Sequence, residues 1–358
     1  MNPLRILNQS GQSIWLDNLS RTLLREGGLQ QLIENDGISG VTSNPSIFQK
    51  ALAESPYYHD DLARLKASEA DAEKRYEALV VPDIQAACDL LLPSFQRSQG
   101  VDGYVSLEVS PHLAHDSAAT IAAAQRLRAT VNRPNLLIKI PGTAAGLVAF
   151  EQLITAGVSI NITLLFSLRQ TVRVFEAYIR GLRQRLAQGS DLRNVKAVAS
   201  LFLSRVDTLV DQRLATIDSD AAQALTGRAA LITAKLAYQR YQDIFHGAMF
   251  ADLAHAGARP QYLLWASTGT KNPAYSDVKY LEALIGTETI NTVPDATLAA
   301  FRDHGRVELT LTNAIAAAEA DYIALEKIGI DLNVVGETLQ VDGLKLFSDA
   351  YDKALASS

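Results

Sequence analysis

Short apolar segments alternate along the chain with longer segments of helical character. Each apolar segment is rich in β-branched residues and ends in polar residues, glycine or proline, as strands covered on both faces of a sheet do. Eight of them recur, at 13–17, 39–43, 103–109, 135–141, 159–165, 195–202, 261–268 and 288–294. The helical segments between them indicate parallel crossovers, so the pattern predicts an α/β fold of the (β/α)8 TIM-barrel type. A doubly wound open sheet is the main alternative.

Three regions contain more residues than such a barrel needs. A (β/α)8 barrel takes roughly 250 residues, whereas this chain has 358. The surplus has a helical pattern and lies near 50–95, 206–258 and 313–358; we expect two or three additional helices in the first of these regions. No repeat, low-complexity tract or linker divides the sequence. We therefore predict one barrel domain over 1–358, with two helical insertions and a helical C-terminal extension.

Charge and cysteine content restrict the class of partner. The net charge of -6 provides no broad basic surface for nucleic acid or an anionic membrane. No segment approaches the ~20 apolar residues of a membrane span, and the N-terminus has no apolar core behind a basic start. A single cysteine, Cys88, excludes an internal disulfide framework. We expect a soluble cytoplasmic protein that binds neither nucleic acid nor membrane.

One lysine interrupts an apolar segment, at Lys139 in LLIKIPGT. Active sites of barrels lie at the carboxyl ends of the strands, which is where this lysine falls. Burial disfavours an ammonium and lowers its pKa, giving a neutral amine that can attack a carbonyl and form a Schiff base. The alternative is a structural lysine that pairs with a buried carboxylate or extends to solvent from the strand end.

Two carboxylates occupy comparable positions. Asp17 ends the first apolar segment, and Glu108 lies near the end of the third. Schiff-base chemistry requires proton transfers, which such groups can perform. The structural alternatives are a helix N-cap for Asp17 and an ion pair with an arginine for Glu108.

Further polar side chains mark other strand ends. Asn161 and Thr163 alternate in INITLL and therefore share one face of a strand, and Ser200 and Phe202 alternate likewise ahead of Arg205. Such inward polar residues either satisfy one another or bind a substrate.

Two turns could also contribute to a site. Asn44, in GVTSNPSIF, is either a cap of the helix entered through Pro45 or a substrate-binding amide. Ser267 and Lys271, in WASTGTKNPAY, follow the seventh segment, where barrels often bind phosphate.

A metal or nucleotide cofactor is not expected. His112, His115 and Asp116 are close enough in sequence to share an ion, but no third histidine ends a strand segment. The chain also lacks GxGxxG after its first strand and lacks GxxxxGK[ST].

Taken together, these motifs resemble those of the transaldolase family. GVTSNPSIF is similar to the family's first motif and LIKIPGTAAGLVA to its second, and SLEVSP, INITLLFS, ASLFLSRVD and WASTG match further strand ends in the same order. The resemblance covers about residues 13–295. It is greatest to the longer bacterial and plant branch, and to the transaldolase half of fusions with glucose-6-phosphate isomerase.

The resemblance implies a barrel enzyme of the pentose phosphate pathway that needs no cofactor. It would move a dihydroxyacetone unit from sedoheptulose 7-phosphate to glyceraldehyde 3-phosphate, giving erythrose 4-phosphate and fructose 6-phosphate. Lys139 would form the Schiff base, Asp17 would act on the C4 hydroxyl, and Glu108 with Thr163 would hold and activate a water. The implied substrate-binding residues are Asn44, Asn161, Ser200, Phe202, Arg205 and Ser267.

One departure and two alternatives remain open. Many family members have an arginine where this chain has Gly269, and Lys271 is then a candidate for the second phosphate-binding cation. A related fructose-6-phosphate aldolase would release free dihydroxyacetone, but tends to have tyrosine at the position of Phe202 and to lack Glu108. A non-catalytic sugar-phosphate-binding barrel is the third possibility. The sequence leaves a monomer and a homodimer equally open.

Overall fold

The computed structural model describes residues 2–358, in which eight parallel strands close into a barrel in sequence order, β8 pairing with β1. Every strand lies in one of the eight predicted segments, apart from one residue at the start of β1. The barrel prediction is confirmed, and the open-sheet alternative is wrong. The strands are β1 (Gln12–Leu16), β2 (Gly40–Thr42), β3 (Val105–Glu108), β4 (Leu136–Pro141), β5 (Ile160–Leu165), β6 (Ala197–Phe202), β7 (Tyr262–Ala266) and β8 (Thr289–Val293).

Helices connect the strands and cover the barrel. The additional ones include α4 and α5 before the crossover helix α6, α11 to α13 after β6, and α16 and α17 at the C-terminus. The helices are α1 (Pro3–Gln9), α2 (Arg21–Arg25), α3 (Gly28–Gln31), α4 (Pro45–Glu54), α5 (His59–Ser68), α6 (Ala72–Arg97), α7 (Ser117–Val131), α8 (Ala144–Thr155), α9 (Leu168–Ala187), α10 (Ser204–Leu214), α11 (Asp220–Leu225), α12 (Ala229–Phe245), α13 (Ala248–His255), α14 (Lys279–Glu282), α15 (Asp295–His304), α16 (Ile315–Lys327) and α17 (Leu332–Ser357).

Side-chain caps fix the helix that begins after each of several strands. Asp116 accepts a hydrogen bond from the backbone N–H of Ala119 at the start of α7, and Thr143 accepts one from that of Gly146 at the start of α8, both at 2.9 Å. Such caps satisfy N–H groups that have no partner within the helix. They hold the turns at the carboxyl end of the barrel in defined positions.

Strand register brings three of the polar candidates together. Glu108 of β3 lies opposite Lys139 of β4, which in turn lies opposite Asn161 of β5. Because alternate residues of a barrel strand point inward and paired residues of neighbouring strands point to the same side of the sheet, these three side chains share the barrel interior. The β5–β6 register shifts between Ile162 and Leu165. Asn161 precedes that irregularity, whereas Thr163 lies within it.

A buried ion pair anchors the first insertion to the barrel. Arg21 of α2 contacts Asp83 of α6 at 2.9 Å and Asp61 of α5 at 2.7 Å, and the Tyr58 hydroxyl donates to Asp83 at 2.7 Å. Arg21 and Asp83 are almost fully buried. Burial raises the pKa of Asp83, and the bonds from Tyr58 and Arg21 oppose that rise. The network therefore ties three helices together at one point.

Helix α6 is long and apolar enough to cross a membrane by length and composition alone, with 44% of the relevant window buried inside the protein. The expectation that no segment approaches a membrane span is corrected in that respect. The helix also contains Asp83, buried against Arg21. A buried helix in the core of a fold passes the same test, so this observation is weak evidence for a membrane span.

Candidate active site

Lys139 lies at the centre of the polar end of the barrel, with only 4% of its surface exposed. Its Nζ is 3.2 Å from Glu108 Oε2 and donates a hydrogen bond to the Ser43 carbonyl, also at 3.2 Å. The Glu108 side chain is 4% exposed. The structural alternative for this lysine, pairing with a buried carboxylate, is therefore observed. That contact does not exclude catalysis, because it places a proton acceptor beside the amine.

Burial raises the pKa of both candidate carboxyl groups. The pKa of Glu108 rises to about 7 because the side chain is desolvated, against the opposing effect of Lys139. The pKa of Asp17 is also raised by burial, opposed by Lys139 and by a 2.7 Å hydrogen bond from Thr42 Oγ1. Both groups therefore hold a proton to higher pH than exposed carboxyl groups do, which suits exchange of protons near neutrality.

A chain of short hydrogen bonds runs along the wall beside Lys139. Ser200 Oγ donates to Asn161 Oδ1 at 2.6 Å, and Asn161 Nδ2 donates to Ser106 Oγ at 3.1 Å. Thr163 Oγ1, in contrast, is buried and has no hydrogen-bond partner within residues 2–358. A buried hydroxyl without a partner is costly. It therefore indicates a place for a water or a substrate oxygen.

Asn44 is a helix cap at the edge of the cavity. Its side chain caps α4, with Oδ1 accepting from the backbone N–H of Ile47 at 3.1 Å, and it also lines the cavity above Lys139. The cap interpretation is confirmed. The same cap holds the amide at the edge of the cavity, so the two interpretations are compatible.

Arg205 supplies positive charge at the other side of the cavity. Its Nη1 is buried and has no hydrogen-bond partner in the described part of the chain. Burial lowers the pKa of this guanidinium, while Asp17 opposes the effect. Ser267 lies nearby, its Oγ 2.8 Å from Ser204 Oγ. A buried guanidinium with a free N–H is a suitable partner for a phosphate.

Gly269 lies where a side chain would be crowded. A Cβ there would be 3.2 Å from Pro294 Cγ and 3.4 Å from Thr297 Oγ1. Lys271 is exposed and lines the same cavity. The loop after β7 therefore brings Lys271, two residues beyond Gly269, to the edge of the cavity.

The cavity has a volume of about 200 Å³ and contains nine of the eleven residues selected from the sequence. Glu108 and Asn161 lie behind it, in contact with Lys139 and Ser200. The nine lining residues are Asp17, Asn44, Lys139, Thr163, Ser200, Phe202, Arg205, Ser267 and Lys271.

Several residues that line this cavity were not selected from the sequence, among them Thr42, Thr292 and Phe347. Thr42 and Thr292, whose hydroxyl oxygens are 2.6 Å apart, occupy the ends of β2 and β8, and the strand-end rule could have identified them. Phe347 comes from α17, in the C-terminal extension. No local signal connects that helix to the strand ends.

His112 and Asp116, two of the residues weighed for a metal, contact other groups. His112 Nε2 lies 2.7 Å from Asp352 Oδ1, and Asp116 caps α7. Among residues 2–358, no group of three or more His, Cys, Asp or Glu is placed to hold a metal ion.

Comparison with known proteins gives full-length matches. Residues 14–358 match the model of the family described as Transaldolase/Fructose-6-phosphate aldolase. A transaldolase of Thiobacillus denitrificans is 58% identical over 356 residues, covering 99% of each chain. A transaldolase of Neisseria gonorrhoeae is 47% identical over 97% of this chain and 96% of that protein. A Streptomyces coelicolor protein named Transaldolase 1 is 44% identical over 99% of this chain and 93% of that protein.

Proposed function

We propose, from the premise that the chain belongs to the transaldolase/fructose-6-phosphate aldolase family, that it transfers a dihydroxyacetone unit between sugar phosphates through a Schiff base. The specific donor is sedoheptulose 7-phosphate and the acceptor glyceraldehyde 3-phosphate, with erythrose 4-phosphate and fructose 6-phosphate as products. One observation carries the proposal: a buried lysine amine lies 3.2 Å from a buried carboxyl group, at the foot of a cavity that an unpartnered arginine also enters.

Schiff-base formation begins with transfer of the Lys139 ammonium proton to Glu108. The neutral amine then attacks the ketose carbonyl, and the carbinolamine loses water to give an iminium ion. Loss of water requires a proton on the departing oxygen, which protonated Glu108 can supply, directly or through a water held by Thr163. The carboxyl pKa of about 7 suits both directions of that exchange.

Cleavage of the C3–C4 bond requires a base at the C4 hydroxyl. Asp17 takes the hydroxyl proton, the C4–O bond becomes a carbonyl, and the electrons of the C3–C4 bond move towards the iminium nitrogen to form an enamine. The shortened aldose phosphate leaves. Attack of the enamine carbon on the acceptor aldehyde then reverses these steps, with Asp17 returning the proton to the new hydroxyl.

Binding groups surround the reacting carbons. Asn44 and Ser200 present an amide and a hydroxyl group for the substrate hydroxyls, Asn161 contributes its amide from behind Ser200, and Arg205 and Ser267 bind the phosphate. Lys271 supplies a second, exposed cation in place of the arginine that many relatives have. Positions held by strands and capped turns suit orientation of a small substrate.

An aldolase that releases free dihydroxyacetone is the second candidate, because it would use the same lysine. Phe202 packs against Phe166, with ring centroids 5.1 Å apart, and lines the cavity without a hydroxyl group. An apolar ring there offers no proton to the enamine, whereas a tyrosine would. Together with Glu108, it favours transfer over release.

The proposal also covers the domain organisation, location, oligomeric state and partners of the protein. The chain acts as a single domain in the cytoplasm, as a monomer or homodimer, without a cofactor and without binding nucleic acid or membrane. The net charge of -6 and the single buried cysteine, Cys88, support these points.

Borohydride trapping with fructose 6-phosphate tests the mechanism. Reduction should attach a three-carbon or six-carbon adduct to Lys139, located by peptide mass spectrometry, and Lys139→Met should show neither adduct nor turnover. Lys196 is an internal control, because it is 1% exposed and burial lowers its pKa to about 7, yet it precedes β6 at the opposite end of that strand. Label on Lys196 with none on Lys139 would refute the proposal, as would transfer activity in Lys139→Met.

A further inference from the structure

The C-terminal helix α17 crosses the end of the barrel that contains Lys139. Gln340 Nε2 donates to the backbone carbonyls of Gly142 and Leu164, both at 3.0 Å. The Gly142 carbonyl directly follows β4, and the Leu164 carbonyl belongs to β5. One side chain of α17 therefore attaches the helix to the strands that carry the lysine and the hydroxyls beside it.

Two glycines seat α17 close to the barrel. A Cβ on Gly336 would be 2.7 Å from Ser167 Cβ, and one on Gly343 would be 3.1 Å from Leu164 Cδ2 and 3.4 Å from Arg205 Nη1. These positions lie seven residues apart, on the same face of a helix. The missing side chains let the helix approach both the strand ends and the phosphate-binding arginine.

Phe347 follows Gly343 by one helical turn on that face. Its side chain is 3% exposed and lines the cavity, with the ring centroid 5.6 Å from Lys139 Nζ. Phe202 lines the same cavity from β6. Apolar rings from two distant parts of the chain thus flank the space above the lysine.

We propose that Phe347 is a specificity-determining residue that directs the enamine to the aldehyde acceptor by keeping water from it. The inference rests on the proposed Schiff-base function. The competing reaction is a hydrolysis that consumes one water: the enamine carbon takes a proton from a water and leaves hydroxide. A second water adds to the resulting iminium carbon and gives its proton to that hydroxide, and collapse of the carbinolamine releases dihydroxyacetone and restores the Lys139 amine. Water addition to the iminium also occurs when a ketose product leaves, so protonation of the enamine carbon is the step that separates release from transfer. That step needs a water beside the enamine carbon, in the space that the Phe347 ring borders.

The test measures the ratio of dihydroxyacetone released to dihydroxyacetone transferred, using fructose 6-phosphate with and without erythrose 4-phosphate. Phe347→Ala should raise this ratio about tenfold, and Phe347→Leu about threefold, since leucine fills part of the space. In D₂O the released dihydroxyacetone should carry one additional deuterium on carbon. Leu346→Ala is the matched control, because this neighbouring residue is 53% exposed, and the ratio should stay at the wild-type value.

Borohydride trapping at Lys139 separates the possible failures. A purely structural role for Phe347 would lower adduct yield and turnover together and leave the ratio unchanged, which would overturn the inference. If Phe347→Ala does not fold, the ratio in Phe347→Leu decides, and a wild-type ratio there overturns it equally. Absence of a Lys139 adduct in the wild-type protein would refute the proposed function itself, and this inference with it.

Discussion

Replacement of Glu108 by glutamine tests the proton transfers most directly. The amide keeps the size of the side chain but can neither accept the Lys139 proton nor return it. General acid–base groups contribute about 10²- to 10⁴-fold to rates. Glu108→Gln should therefore lower kcat for dihydroxyacetone transfer by about that factor, measured by coupling fructose 6-phosphate formation to a dehydrogenase. Borohydride trapping should become slow in the same variant.

The pH dependence gives a second measurement of the same group. Because the carboxyl pKa is about 7, it can accept a proton only above that pH. In the wild-type protein, log kcat/KM should fall with unit slope as pH decreases below about 7, and Glu108→Gln should lose that limb. An unchanged limb in the variant would refute the assignment and direct attention to Asp17, whose pKa burial also raises.

Stability should show the same titration with a defined sign. The folded protein retains the Glu108 proton up to about pH 7, whereas the unfolded chain releases it near 4.5. The contribution of this group to stability is therefore full below pH 4.5 and is lost as pH rises through 7. Between pH 5 and 8 the free energy of unfolding should fall by about 2 kcal/mol more in the wild type than in Glu108→Gln, measured by urea titration. Parallel pH profiles of the two proteins would contradict this reasoning.

Four further variants separate function from folding. Asn44→Ala removes a helix cap and should lower the free energy of unfolding by about 1 kcal/mol in urea titration, but it should lower kcat/KM more than 100-fold. Small losses of both stability and kcat/KM would show that Asn44 is a helix cap and nothing more. Arg205→Ala should lower kcat/KM for fructose 6-phosphate about 10- to 100-fold and leave kcat/KM for unphosphorylated fructose unchanged. Lys271→Ala, which removes an exposed cation, should lower kcat/KM for fructose 6-phosphate less than about tenfold. Equal effects on both sugars would exclude phosphate binding. Asp83→Ala leaves the buried guanidinium of Arg21 with Asp61 as its one carboxylate partner and should reduce the free energy of unfolding by up to about 3–5 kcal/mol, without changing kcat of the folded fraction. A change below about 1 kcal/mol would show that Asp61 and water compensate the charge.

Short-range patterns were enough for much of the fold. Continuous apolar segments that alternate with helical ones are typical of parallel strands, which pair their backbone groups in a sheet and are covered on both faces by crossover helices. That pattern predicted the strands from β1 to β8. Polar residues at the ends of those segments gave most of the cavity lining, because barrels collect such ends at one face. Length and apolarity were less informative about membrane spans. Helix α6 is long and apolar enough to cross a membrane, although its Asp83 belongs to a buried ion pair.

The sequence by itself determined the positions of the strands, the lysine within the fourth of them and the polar residues at the strand ends, because each of these depends on neighbours a few positions away; the closed strand order came from the tertiary structure. Only the tertiary structure decided that Lys139 lies 3.2 Å from Glu108 and that Phe347, more than two hundred residues from that lysine, covers it. The first of these depends on register between strands. The second depends on two glycines that let a distant helix approach the barrel, and spacing along the chain does not encode such contacts.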